Sequence, residues 1–191
     1  MTDGLETASQ LYHVTGIRNL DAILERGVQP QAGHRDALED DLSDVAVAND
    51  IDLPIDRSEC VFCYPTLAAA TELVEPIGDE CPSLSRRKAI VVIEGSRIGR
   101  QLYVGEFDYI SDAIDLQYME EPDAAVTAES YDDALHRYAA TLTELESFEE
   151  LDHLTGAFQR PEIVVEGGIE PDRIVEWRLL KQIRDKTRSS E

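Results

Sequence analysis

His13 and Thr15 form a His-x-Thr at the end of a short strand pattern, Leu11 to Val14. Polar groups at a strand end are well placed to meet a ligand. Glu162 stands one residue into the apolar run Pro161-Glu162-Ile163-Val164-Val165. An acid there is uncommon, because burying it without a partner is costly. A solvent-edge position is also open to it if Pro161 starts the strand. Glu166 and Glu170 are competing carboxylates and rank below it. Phe62 and Tyr64 lie two apart on the strand pattern Cys60 to Tyr64, so they share one face. Cys60 and Cys63 make a C-x-x-C, but no second cysteine pair or spaced histidine pair follows at zinc spacing. Within a strand their side chains point to opposite faces, so they read as core cysteines rather than a metal or redox pair.

The elements that must position these groups follow from periodicity. Ile17, Leu20, Ile23 and Leu24 recur at helical spacing directly after Thr15. Gly27 stands where a left-handed C-cap is expected, and Pro30 keeps the helix from resuming. Residues 31–57 are rich in Asp, with a weak Leu38, Leu42, Val45 series, and read as a long loop with one helical turn. A helical run covers Leu67 to Val74, and residues 75–87 read as a second loop. Ala89 to Glu94 is a buried strand, and Gly99 to Val104 a further one. Asp108 to Met119 and Ser130 to Ser147 are predicted helices, the second capped by Ser130 with Asp132 and Asp133 in its first turn. Leu151 to Phe158 is a short helix or loop, and Ile174 to Leu180 is a final strand. This order predicts one α+β domain over residues 1–191, two small packed sheets flanked by helices, with 1–9 and 185–191 loose.

The unit Leu11-Tyr12-His13-Val14-Thr15, its helix and Gly27 resemble the first strand and helix of the ADP-ribosyltransferase fold, in the class whose motif is His, then an aromatic, then Glu. The segment Cys60 to Tyr64 with its following helix resembles the second part, and Pro161 to Val165 with its Gly-Gly turn resembles the third. The likeness spans residues 11–181. The first part is fairly specific; the other two are ordinary strand patterns made informative by their order. Two departures stand out. Phe62 occupies the aromatic position usually held by Tyr, with Tyr64 two residues on. Arg160 stands two before the glutamate, where some members carry Gln or Glu.

The resemblance implies NAD as substrate, cleaved between nicotinamide and ribose. That reaction develops positive charge on the sugar carbon, so it needs a bent dinucleotide, a stacking surface and one carboxylate. By resemblance Glu162 is the catalytic carboxylate. His13 and Thr15 hold a ribose, the backbone at Val14 pairs with the nicotinamide amide, and Phe62 and Tyr64 stack. The 31–57 segment would border the NAD cleft. The products are nicotinamide and ADP-ribose joined to a macromolecular acceptor of unspecified class.

Composition bounds the setting. The 191 residues include 40 acidic and 17 basic ones, for a net charge of −23. The acids are spread along the chain and lysine is scarce (Lys88, Lys181 and Lys186), as in proteins of salt-in halophiles. Concentrated salt shortens the Debye length to about 3 Å at 1 M, which screens such self-repulsion. The charge weighs against nucleic acid as a partner, because phosphate binding draws on a basic patch. The cluster Arg178, Lys181, Arg184, Lys186 and Arg188 reads as a polar tail. No secretory core or long apolar run is present, which predicts a cytoplasmic protein with no membrane partner. Three cysteines, Cys60, Cys63 and Cys81, suit a reducing compartment. Two rival readings remain beside the transferase: a non-catalytic binding or accessory protein of the same fold, and an unrelated acidic α+β interaction protein.

Overall fold

Period-2 alternation organises the interior. In a computed structural model, which describes residues 10–30, 36–72, 87–118, 126–151 and 157–180, the strand Lys88–Glu94 (β3 in chain order) sends Ile90 and Val92 into one apolar cluster. Its alternate residues Val91 and Ile93 enter a second cluster. Both faces are buried, so the strand reads as a continuous apolar run.

β3 is central in an antiparallel sheet, flanked by β1 (Gln10–Gly16) and β7 (Ile174–Leu179). The second sheet has the order β2-β6-β4-β5, formed by Cys60–Cys63, Pro161–Glu166, Leu102–Glu106 and Thr143–Leu145, again antiparallel. A two-residue bridge couples the sheets: Tyr12 N–H donates to the Tyr64 carbonyl at 2.9 Å, and Tyr64 N–H returns to Tyr12 at 2.8 Å. The architecture is α+β, with two small antiparallel sheets and helices around them.

The first helix divides into a 3-10 turn at Ile17–Asn19 and α1, Leu20–Arg26. Leu20 and Ile23 are buried, whereas Ile17 and Leu24 stay exposed. Gly27 has a φ of 81°, and a Cβ there would stand 2.0 Å from the Ile169 carbonyl oxygen. Only glycine lets the chain leave α1 beside Ile169, to which Val28 is hydrogen-bonded.

Two expectations need correction. The loop expected over 31–57 contains α2, Asp36–Ala48, a helix of 13 residues. Leu38, Leu42 and Ala46 recur every four residues and are all buried, so a narrow stripe sufficed to hold an otherwise acidic helix. The helix expected over 130–147 ends at Thr141, giving α5 as Tyr131–Thr141. Leu142 turns to an extended conformation, and Thr143–Leu145 pairs with β4 instead. β-branched Thr143 suits that strand. Ser130 does cap α5: its hydroxyl accepts the Asp133 N–H at 3.1 Å.

Two further helices fall close to expectation, α3 at Leu67–Glu72 and α4 at Phe107–Tyr118, while residues 73–74, 119 and 152–156 of the expected segments lie outside the described residues. The strand expected over 99–104 is displaced to Leu102–Glu106. Cys60 joins the first cluster and Cys63 the second, as alternation requires. The segments 1–9, 75–86 and 181–191, with most of the basic tail, lie outside the described residues. Among the described residues, no helix is long and apolar enough to cross a membrane.

Candidate functional site

Glu162 lies on β6 opposite Gly105 of β4, on the face that also carries Val164. It has no solvent exposure. Its Oε2 receives two contacts: Arg57 Nη2 donates at 3.2 Å, and the Tyr138 hydroxyl donates at 3.2 Å. Its other oxygen, Oε1, has no hydrogen-bond partner among the described residues. The carboxylate is therefore fixed through one oxygen and leaves the other unsatisfied. An unmatched buried carboxylate oxygen is costly, and such atoms mark places where something other than stability sets the sequence.

Arg57 reaches the interior from a 3-10 turn, Arg57–Glu59, just before β2. Asp56 caps that turn by accepting the Ser58 N–H at 3.0 Å. Arg57 is 2% exposed, and its guanidinium lies 4.7 Å from the Phe62 ring centroid and 4.4 Å from that of Tyr138. Each contact is a cation–π arrangement. Glu39 of α2 brings a second carboxylate to 3.8 Å from Arg57 Nε. Arg57 Nη1 has no partner among the described residues. Burial works against the Arg57 charge, but Tyr138, Glu162 and Glu39 outweigh it and lift its pKa above the ordinary value. Tyr138 moves the same way, with burial the leading cause, so it stays a protonated donor.

Glycine makes room for this arrangement. A Cβ on Gly105 would lie 3.0 Å from Tyr138 Cε2 and 3.0 Å from its hydroxyl oxygen. The entrance to β6 is also clamped. Glu106 accepts backbone N–H groups from Gln159 and Arg160, each at 2.7 Å. Arg160 turns outward, pairing with Asp108 at 2.7 Å and lying 5.1 Å above the Phe107 ring.

His13 attaches to this group through the backbone. Its Nδ1 donates to the Phe62 carbonyl at 2.9 Å. Burial lowers its pKa, so the neutral ring predominates, with Nδ1 protonated and Nε2 an acceptor. Thr15 is buried and receives Asn19 Nδ2 at 3.5 Å. Strand alternation places His13 and Thr15 on the Leu11 side of β1. Val14 packs on the first cluster, where Glu162's partner Tyr138 lies. Tyr64 is buried and meets Phe107 edge to face, with ring centroids 5.9 Å apart. Among the sequence candidates, Phe62 is thus joined to Glu162 through Arg57, and His13 to Phe62 by a hydrogen bond. Thr15 is joined to Asn19, and Tyr64 to Phe107 and, through the backbone, to Tyr12.

Sequence reading missed Arg57, Glu39 and the polar role of Tyr138. Arg57 stands in an acidic stretch and looks like a solvated charge. Tyr138 is visible only as part of an apolar helical stripe.

No family model and no curated protein sequence matches the chain. Solved structures are similar in shape. Thermus sp. 2.9 DarT in complex with NAD+ has 11% identity and a TM-score of 0.43, covering 96% of this chain and 90% of its own. The same protein in complex with ADP-ribosylated ssDNA gives 12% identity and 0.44, covering 99% and 92%. Thermosipho africanus DarTG in complex with ADP-ribose gives 15% and 0.39, covering 93% and 46%.

Proposed function

We propose that this chain is an ADP-ribosyltransferase that takes NAD as substrate, releases nicotinamide and passes ADP-ribose to a macromolecular acceptor. One observation carries the reading. Glu162 is a buried carboxylate held through a single oxygen by Arg57 and Tyr138, with Oε1 unsatisfied. A sugar cation developing beside Oε1 would supply the missing partner. It would be stabilised without reorganisation, because the carboxylate is already oriented. The chain order His13, Phe62, Glu162 is that of the family motif, and His13 bonds to the Phe62 backbone carbonyl.

In this reading Arg57 and Tyr138 orient the carboxylate, and His13 offers Nε2 to a ribose hydroxyl. Glu162 has no exposure, so NAD reaches it only when covering side chains shift. Glu39 and Phe62 pack on Arg57, the residue that holds the carboxylate. The halophilic, cytoplasmic setting and the single domain belong to the same proposal. The acceptor is a protein or a nucleic acid, with the net charge of −23 weighing against the latter.

The test is incubation with labelled NAD and cell extract in concentrated KCl, with protein and nucleic acid then separated. Label on either fraction, with nicotinamide released and lost in Glu162→Gln, supports the transferase. NAD binding without nicotinamide release leads to the non-catalytic reading. No binding at millimolar NAD ends both.

A further inference from the structure

β7 closes the first sheet on one side. β3 pairs with its inner edge, and among the described residues no strand pairs with its outer edge. Such an edge is a template for another strand. Its side chains are also open: Val175 is 56% exposed and Trp177 43%. The register shifts here, with Glu176 opposite Val92 and Ile174 opposite Ile93, so Val175 bulges out. Glu176 and Arg178, two apart and hence on one face, pair with each other.

The three residues Glu176-Trp177-Arg178 are a charge palindrome centred on an exposed tryptophan. We propose that the outer edge of β7 pairs antiparallel with β7 of a second copy of this chain, about a two-fold axis at Trp177. That register sets Glu176 against the partner's Arg178 and Arg178 against the partner's Glu176. It also brings Trp177 beside the partner's Trp177. An isologous contact must be self-complementary in this way. Opposite charges directly across a strand pair are favourable, and like charges are not. Parallel pairing in register would place acid on acid, so the palindrome selects the antiparallel dimer. Two tryptophans at the centre lose exposed apolar area. The net charge of −23 opposes association over distances that 1 M salt screens, at a Debye length of about 3 Å. Cross-strand ion pairs in contact lie within that length and keep their preference, so the dimer is favoured at about 1 M salt.

Sedimentation velocity on the purified chain in concentrated KCl, over a rising protein series, reads the outcome. Wild type is expected to dimerise, more at high than at low salt. Trp177→Lys, Glu176→Arg and Arg178→Glu are each expected to be monomeric with native circular dichroism. The decisive arm mixes the last two. Neither variant can pair with itself, but in the mixture every acid again faces a base, and a heterodimer is expected. Neither variant keeps the pair within its own strand, so a mixed dimer reports contact between copies. A monomeric wild type overturns the proposal, as it would if the edge served another protein's strand. A dimeric wild type indifferent to Trp177→Lys, or a mixture that stays monomeric, overturns it equally.

Discussion

Arg57 and Glu162 are separated by 105 positions in the chain and meet at 3.2 Å in its interior, each side chain almost wholly excluded from solvent. Desolvating both charges is expensive, and their attraction offsets that expense only while both are present. Arg57→Met strands Glu162 without its cation. We expect a loss of about 3–5 kcal/mol, measured by urea unfolding in concentrated KCl. The double variant Arg57→Met, Glu162→Leu is expected to recover most of it while remaining inactive. If the double variant is no more stable than the single, the buried pair is not under the electrostatic stress that its geometry implies.

Tyr138 reaches Glu162 through space that residue 105 leaves empty. Gly105→Ala puts a methyl group 3.0 Å from the tyrosine ring. Overpacking of this kind costs roughly 1–3 kcal/mol. Tyr138→Leu removes the ring and should make the alanine nearly neutral, so the two changes are strongly non-additive. Simple additivity in a double-mutant cycle would refute the spatial argument.

His13 ties β1 to β2 through the Phe62 carbonyl, and burial depresses its pKa below 6.5. The unfolded chain therefore binds this proton more readily than the folded one. The stability involved is complete above pH 6.5 and declines as pH falls from there towards the folded value. Asparagine can place its amide where Nδ1 stands. His13→Asn is expected to keep most of the stability at neutral pH and to lose this part of the slope on acidification. An unchanged slope between wild type and variant counts against the assignment.

The strands were readable from the sequence because each has an apolar run whose two faces are both buried, as in Ala89 to Ile93 and Ile163 to Val165. Glu162 stood out for the same reason, as a charge breaking such a run. Arg57 could not be found this way. Its neighbours Asp56 and Glu59 give the local pattern of a solvated turn, and its partner lies on a distant strand. α2 was hidden by the narrowness of its buried stripe, Leu38, Leu42 and Ala46, amid acids. Long-range pairing also decided Thr143–Leu145, where a β4 edge captured residues that helical periodicity would have kept in α5.

Cys60 and Cys63 give a direct readout of the folded interior. Burial is the leading cause of the rise in both thiol pKa values, and Cys60 is pushed up to about 12. The thiolate is the reactive form. Both residues should resist iodoacetamide at mildly alkaline pH in the folded protein and react promptly in urea. Peptide mass spectrometry separates them from Cys81. Rapid labelling of either in the native state would show that the strand is exposed or that its environment favours the thiolate.

The acidic surface makes a prediction about salt that is independent of any activity. With 40 acids against 17 bases, most carboxylates have no basic partner available. The exposed pairs that do form, such as Arg97 with Glu94 and Arg100 with Glu170, are solvated and contribute at most about 1 kcal/mol each. Repulsion among the carboxylates therefore outweighs these pairings at low ionic strength. At about 0.15 M salt the Debye length is roughly 8 Å, and neighbouring surface carboxylates still interact; at 1 M it is about 3 Å, and they do not. The folded state holds these charges closer together than the unfolded chain does, so screening favours it. Melting followed by circular dichroism should show the transition temperature rising steadily from physiological to multi-molar KCl. A curve that is flat above about 0.15 M would mean the charge is tolerated without salt. That result would remove the halophilic reading and favour a basic partner for this surface instead.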